Sequence, residues 1–280
     1  MSLPGTRSSV IWSIIAAAFI GPGTVTTATR VGAAGGWYYV PVLAAALLGG
    51  YLLLEAAARI SLVGNRSLTE LLGRSGGGLL LRLLVFGGLF VGCAAYQAGN
   101  LLGGLAGLRL FAAGIPAWML VPAAVLIGAL LFWGGTSGIG RLMSRLVILM
   151  GITFIFTALV GPAAQPPPET VPDLSAFNML ALAGTTIVPY NFFLALRLGR
   201  GQQLGAMRRG LALSFALGGV VTLAVLLTGR QLAEFDSFDQ LAGVLRQAAG
   251  LAGPLFLGIG LCAAGFSSAL TAPLAAAAGG

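Results

Sequence analysis

Residues 18–27 read Ala-Phe-Ile-Gly-Pro-Gly-Thr-Val-Thr-Thr, and residues 184–191 read Gly-Thr-Thr-Ile-Val-Pro-Tyr-Asn. Each stretch lies within an apolar run long enough to cross a bilayer. Pro22 and Pro189 have no N–H to give to the preceding turn, and Gly21 and Gly23 let the chain unwind around the first of them. An unwound turn leaves carbonyls and amides that lipid cannot satisfy, so such a break survives only inside protein or beside a cavity. The open half-helices carry partial charge there, negative at a C-terminal end and positive at an N-terminal end. One proline alone would be a kink. Breaks in both the first and the sixth apolar span occupy corresponding positions of two five-helix repeats, the pattern of an inverted-repeat transporter with a site near the bilayer midplane.

The rest of the chain supports a membrane setting. Apolar residues make up 58% of it and charged residues 8%, well below the quarter or so of charge that lets a soluble domain face water. The fold class expected is all-α integral membrane, with about eight spans: Val10–Arg30, Trp37–Ile60, Leu79–Leu108, Pro116–Trp133, Arg141–Val160, Ser175–Leu198, Arg209–Thr228, and Ala252 to the end. The 44 glycines suit close helix packing in lipid, where small residues let backbones approach. The Pro-rich outer segment 162–174 separates residues 1–161, a first repeat of helices 1–5, from residues 175–280, a partial second repeat of helices 6–8. The first span runs well past the length of a signal-peptide core.

All fifteen basic residues are arginine. They sit between apolar spans rather than in one basic run, so nucleic acid is not an expected partner. With the N-terminus in the cytoplasm, Arg7, Arg59, Arg66, Arg74, Arg82, Arg141, Arg145, Arg197, Arg200, Arg208 and Arg209 lie inside. Only Arg30, Arg109, Arg230 and Arg246 lie outside, and this asymmetry sets the orientation. The expected location is the plasma (inner) membrane of a prokaryote. Trp37, Tyr38 and Tyr39 read as an interfacial aromatic belt, and Glu55 with Arg59 as a solvated helix-end pair. Cys93 and Cys262 fall inside spans and read as packing residues.

The same motifs carry a family resemblance. AFIGPGTVTTATRVGAAGG resembles the first helix of the NRAMP metal-ion transporters, whose motif reads Asp-Pro-Gly-Asn. GTTIVPYNFFLA resembles their sixth helix, with its Met-Pro-His. GLCAAGFSSALTAPLAAA resembles their eighth helix, and LEAAARISLVGNRSLTELL the end of the second helix and its loop. The resemblance implies a LeuT-like arrangement of inverted five-helix repeats, alternating access about broken helices 1 and 6, and a metal cation as cargo. A LeuT-like core has ten helices, so the chain is expected to be a fragment whose second repeat lacks two.

Residue by residue, the family's metal-binding Asp corresponds to Gly21, its Asn to Thr24, its Met to Val188 and its His to Tyr190. An acidic position tied in the family to proton movement corresponds to Gln97. Pro22, Gly23, Pro189 and Asn191 are retained. The candidate solute-contacting residues are therefore Gly21, Pro22, Gly23, Thr24, Thr26, Thr185, Val188, Pro189, Tyr190, Asn191 and Gln97. Transition-metal ions need carboxylate, imidazole or thioether ligands to offset dehydration, and this chain has no histidine. The oxygens on offer are neutral, and no metal is named for them. They suit a weakly held cation or a neutral or zwitterionic solute as well as they suit the family's cargo. Without intramembrane titratable groups, proton coupling lacks its usual relay. Without histidine or paired acids, enzyme chemistry lacks a base, and no cofactor is called for. A non-transporting membrane scaffold is the reading from another class. Tyr96, Gln97 and Asn100 fit interhelical hydrogen bonding and solute lining equally, while Ser267, Ser268 and Thr271 read as small-residue packing.

Overall fold

The computed structural model describes residues 8–64, 78–112, 114–133, 135–160, 174–199 and 202–279. Helix is the only regular structure among them. The elements are α1 (Ser8–Phe19), α2 (Pro22–Gly35), α3 (Val40–Gly64), α4 (Gly78–Arg109), α5 (Leu120–Trp133), α6 (Gly135–Val160), α7 (Ala176–Thr186), α8 (Tyr190–Leu198), α9 (Leu204–Gly229), α10 (Phe238–Ala249) and α11 (Ala252–Gly279). Short 3₁₀ turns at Gly36–Tyr39 and Ala117–Met119 lead into α3 and α5. The Pro-rich segment 162–173, Arg66 and Arg74 lie outside the described residues.

Six stretches among the described residues are long and apolar enough to cross a membrane: Pro22–Val63, Leu79–Arg109, Gly138–Val160, Ala176–Leu198, Leu204–Gly229 and Ala252–Ala277. The protein is an integral membrane protein. Pro22–Val63 is divided at Gly36, whose φ of 50° turns the chain in a region that favours glycine. The shorter apolar stretch Ala117–Trp133 is the fourth of the spans expected from sequence. Both predicted breaks are present: the first expected span is α1 plus α2, and the sixth is α7 plus α8.

Helices α3, α4, α6, α9 and α11 pack against the broken ones. Helix α9 packs on α1, α2, α3 and α6; α11 packs on α1, α4, α6, α8 and α10; α3 packs on α7, α8 and α9. Glycine makes the closest of these crossings possible. A Cβ at Gly32 would stand 2.0 Å from the Leu226 carbonyl oxygen, and one at Gly229 would stand 2.2 Å from that of Thr29. The α2–α9 backbones therefore touch where a methyl group would not fit, as small residues allow in lipid-embedded bundles. Helix α5 lies at the periphery, with Ile127 its one buried residue.

Three local readings are corrected. Tyr39 is buried at 1% exposure while Trp37 stays half exposed, so Tyr39 packs into the bundle instead of joining the belt. The Arg230 guanidinium lies 5.3 Å from the Trp37 ring centroid. Residues 238–249, expected within an outer loop, form the amphipathic helix α10. It buries Leu241, Ala242 and Leu245, and starts from a Ser237–Gln240 capping box. Finally, Glu55 and Arg59 do pair, but the carboxylate is buried, and Arg208 from α9 donates its Nε–H to Glu55 Oε1 at 2.8 Å. The pair is one side of a three-residue cluster joining α3 to α9.

Candidate solute site at the paired helix breaks

Helix α1 ends at Phe19 and α2 begins at Pro22, with Gly21 in extended conformation as its N-cap. Proline suits the first helical position because its missing N–H would be unpaired there anyway. An α-helix leaves its last four carbonyls without intrahelical partners. In α1 each of these has another donor. Ala16 O accepts the Ile20 N–H at 3.2 Å. Ala17 O accepts the Ser268 hydroxyl at 3.1 Å, Ala18 O the Tyr190 hydroxyl at 3.1 Å, and Phe19 O the Thr24 hydroxyl at 2.9 Å. Three hydroxyls from α2, α8 and α11 thus close the end of α1.

The second break is built differently. Ile187 donates its N–H to Ala183 O at 2.8 Å, after which the chain leaves α7. Asn191 and Phe192 bond back to Val188 O and Pro189 O, tightening the start of α8. The Thr185 and Thr186 hydroxyls both turn back to Leu182 O, at 3.1 and 2.8 Å. No donor among the described residues reaches the carbonyls of Gly184, Thr185 or Thr186.

The fold brings the two breaks together. The Tyr190–Ala18 bond spans 172 positions of sequence, α1 packs on α8, and α2 packs on α7. Of the candidate residues, Gly21, Pro22, Thr24, Val188, Tyr190 and Asn191 are buried at the breaks, while Gly23 and Pro189 are exposed. Thr26 spends its hydroxyl on Pro22 O at 2.9 Å, so it supports the first turn of α2. Gln97 lies on α4, with its side-chain oxygen shielded from solvent and unpartnered among the described residues. Its neighbour Tyr96 meets the Tyr190 ring edge-on at 5.1 Å between centroids.

Two residues matter more here than the sequence suggested. Asn100 is 4% exposed, and its Nδ2 has no partner among the described residues. Ser268, read as packing, caps Ala17. A Cβ built on Gly21 would stand 3.0 Å from Ser268 Oγ and 3.4 Å from Asn100 Oδ1. The space where a longer side chain at position 21 would begin is therefore faced by α4 and α11. Asn191 Oδ1 is likewise buried and unpartnered. Pro22 seats against Gly103, where a Cβ would come within 2.1 Å of the proline ring. Among the described residues, no three of His, Cys, Asp and Glu cluster as a metal site would require.

No curated relative matches the sequence. Solved structures of the Eremococcus coleocola manganese transporter do match the fold. A histidine-to-alanine mutant gives a TM-score of 0.76 at 18% identity, covering 99% of this chain and 67% of that one. A glutamate-to-alanine mutant gives 0.77 at 17% identity over the same shares. The complex with an aromatic bis-isothiourea substituted compound gives 0.74 at 18%, again over 99% and 67%. The architecture is thus the LeuT-like one that the first and sixth helices announced. The family description "Natural resistance-associated macrophage protein-like" matches residues 13–279, and the chain belongs to the Nramp family.

Proposed function

We propose that the protein is a secondary transporter that moves a small solute or ion by alternating access around its two broken helices. Residues 1–161 supply the first repeat and residues 175–280 the second, with the N-terminus on the cytoplasmic side of a prokaryotic plasma membrane. The cargo sits between Gly21–Thr24 and Val188–Asn191, with Thr185 and Gln97 at its margin. The observation that carries this reading is the Tyr190–Ala18 hydrogen bond. It holds two interrupted membrane helices side by side, and among the described residues the Gly23 and Thr24 N–H groups at one interruption and the Gly184–Thr186 carbonyls at the other have no backbone partner. Lipid does not tolerate such groups, and a polar cargo does.

Family membership, and neighbours that are manganese transporters, favour a metal cation. The residues at the breaks favour a different cargo. Gly, Thr, Val and Tyr stand where the family resemblance puts Asp, Asn, Met and His, leaving neutral oxygens that offset the dehydration of a transition-metal ion poorly. The test is uptake by the intact gene product in proteoliposomes, offered Mn²⁺, Mg²⁺, Na⁺ and a panel of small solutes. Saturable uptake of one of them is expected. Saturable Mn²⁺ uptake driven by membrane potential would return the metal reading to first place. No saturable uptake of anything would leave a membrane scaffold.

A further inference from the structure

Helix α6 has two distinct sides. Met143, Val147, Met150 and Phe154 are buried, and the helix packs on α1, α9 and α11. Arg141, Arg145, Ile148, Ile152, Ile155 and Leu159 are exposed. Members of each set recur every three or four residues, so each set lies along one side of the helix. The exposed stripe is ordered. It opens with two arginines one turn apart and continues with aliphatic side chains that are 38–79% exposed.

The arginines are out of place for ordinary packing. Residues 138–160 form the membrane-length apolar stretch, and Arg145 stands about 10 Å into it. Arginines within membrane helices ordinarily turn toward the bundle interior and an anion. Other arginines here do find protein acceptors: Arg59 and Arg208 meet Glu55, Arg197 donates to Ala277 O, and Arg209 to Gly205 O. Arg141 and Arg145 do not. Helix α6 carries no acid, both ion pairs among the described residues fall on Glu55, and neither arginine has a hydrogen-bond partner among the described residues. Two like charges one turn apart repel unless an anion stands between them. The neighbouring helix marks the height of the membrane surface. Helix α5 ends at Trp133 and α6 begins at Gly135. The exposed Phe132 and Trp133, edge-on at 5.5 Å, therefore lie where α6 enters the membrane. Tryptophan in such a position sits at headgroup level, and arginine side chains snorkel to the same level.

We propose that this stripe binds an anionic phospholipid. The lipid phosphate lies between the Arg141 and Arg145 guanidiniums, as charge-assisted hydrogen bonding favours. An acyl chain runs along Ile148, Ile152, Ile155 and Leu159. The stripe and the lipid share one order, charge first and hydrocarbon after. A free phosphate would engage the arginines alone and leave the aliphatic run unexplained. A second copy seated here about an axis along the membrane normal would set arginine against arginine. The inference concerns the lipid partner and holds whatever the cargo.

The test is native mass spectrometry of the intact, detergent-purified protein, titrated with dioleoyl phosphatidylglycerol or dioleoyl phosphatidylcholine. The two lipids share their chains and differ in net charge. Wild type is expected to retain phosphatidylglycerol with about tenfold or greater preference. Arg141→Ala with Arg145→Ala is expected to abolish that preference, and Arg141→Lys with Arg145→Lys to keep part of it. Arg246→Ala, at an exposed arginine on α10, is expected to leave it unchanged, and inorganic phosphate to displace the lipid no better than chloride at equal ionic strength. Equal retention of the two lipids by wild type overturns the proposal, and that comparison needs no variant. A folded double-alanine protein that keeps the preference overturns it, as does loss of the preference in Arg246→Ala. Displacement by inorganic phosphate beyond that by chloride reduces the arginines to an anion site and also overturns it.

Discussion

The cluster of Glu55, Arg59 and Arg208 makes a quantitative prediction. The carboxylate is 5% exposed, while the two arginine side chains are 50% and 47% exposed. Each arginine serves one oxygen: Arg208 Nε donates to Oε1 at 2.8 Å, and an Arg59 amino group donates to Oε2. Removing either arginine leaves the carboxylate one partner. Because each arginine side chain is half exposed, that loss is worth only about 1 kcal/mol. Removing both leaves a buried carboxylate with none, for which the cost is about 3–5 kcal/mol. Arg59→Ala with Arg208→Ala should therefore exceed the sum of the singles by about 1–3 kcal/mol. On the scale of roughly 2–4 °C per kcal/mol for large domains, the double variant melts about 6–20 °C below wild type. Glu55→Gln added to the double variant removes the stranded charge and should recover most of the loss. The assay is thermal unfolding of the purified protein in one detergent, run on all members of the cycle. Additivity within about 0.5 kcal/mol, or no recovery by Glu55→Gln, would show that the carboxylate is hydrated and that the cluster is not a buried joint between α3 and α9.

Three further substitutions follow from the same packing. Gly32→Ala places a methyl carbon 2.0 Å from the Leu226 carbonyl oxygen, and backbone must move to admit it. A loss of about 1–3 kcal/mol is expected, read as a lower melting temperature, and an unchanged one would refute the close α2–α9 crossing. Gly103→Ala meets the Pro22 ring at 2.1 Å and should displace the first break, cutting the transport rate far more than stability. Equal losses in the two would argue that Pro22 is only packed there. Gly21→Asp with Val188→Met restores two side chains of the family motif and should raise Mn²⁺ affinity, measured by titration calorimetry. Unchanged Mn²⁺ binding would mean that these positions do not face the cargo. The new Asp at 21 must also make room beside Ser268 Oγ, 3.0 Å from its Cβ position, so Ser268→Ala in the same background should strengthen the gain.

How much of this was legible in the sequence depends on the range of each interaction. The breaks were, because proline in an apolar run acts on its own turn, and α2 does start at Pro22 and α8 at Tyr190. Most span ends fell within a few residues of the observed ones, though α6 and α9 start several residues earlier than expected. The amphipathic α10 does not stand out as a long apolar run because it buries only one stripe; its signal is Leu241, Ala242 and Leu245 at helical spacing behind a Ser-x-x-Gln start. The roles of Ser268 and Arg208 had no local signal. Ser268 sits 251 positions from the carbonyl it caps, and Arg208 sits 153 from Glu55. A serine amid alanines in a membrane helix looks like packing until the partner backbone is placed beside it. Asn100 is polar in the sequence but ambiguous in role, because what distinguishes it is that its Nδ2 has no partner among the described residues, a property of the folded site.

The bonds that close α1 also constrain how the protein can move. A tilt of α1 about Ile20–Gly21 displaces atoms in proportion to their distance from that hinge. The Phe19–Thr24 bond lies closest to it and joins the two halves of one span, so it changes least. The Ala18–Tyr190 and Ala17–Ser268 bonds lie farther out and tie α1 to α8 and α11, so they must break. Each is worth about 1 kcal/mol net if water replaces the lost partner, and about 1–3 kcal/mol if the carbonyl stays dry. Opening is therefore cheap only when the motion itself admits water to residues 17 and 18. Wetting of the α1 side of the break and its movement are then one event, with Tyr190 and Ser268 as its counterweights. Tyr190→Phe and Ser268→Ala should each favour the open state, and an α1 cysteine that gains no reactivity toward a water-soluble thiol reagent in those backgrounds would separate hydration from tilt.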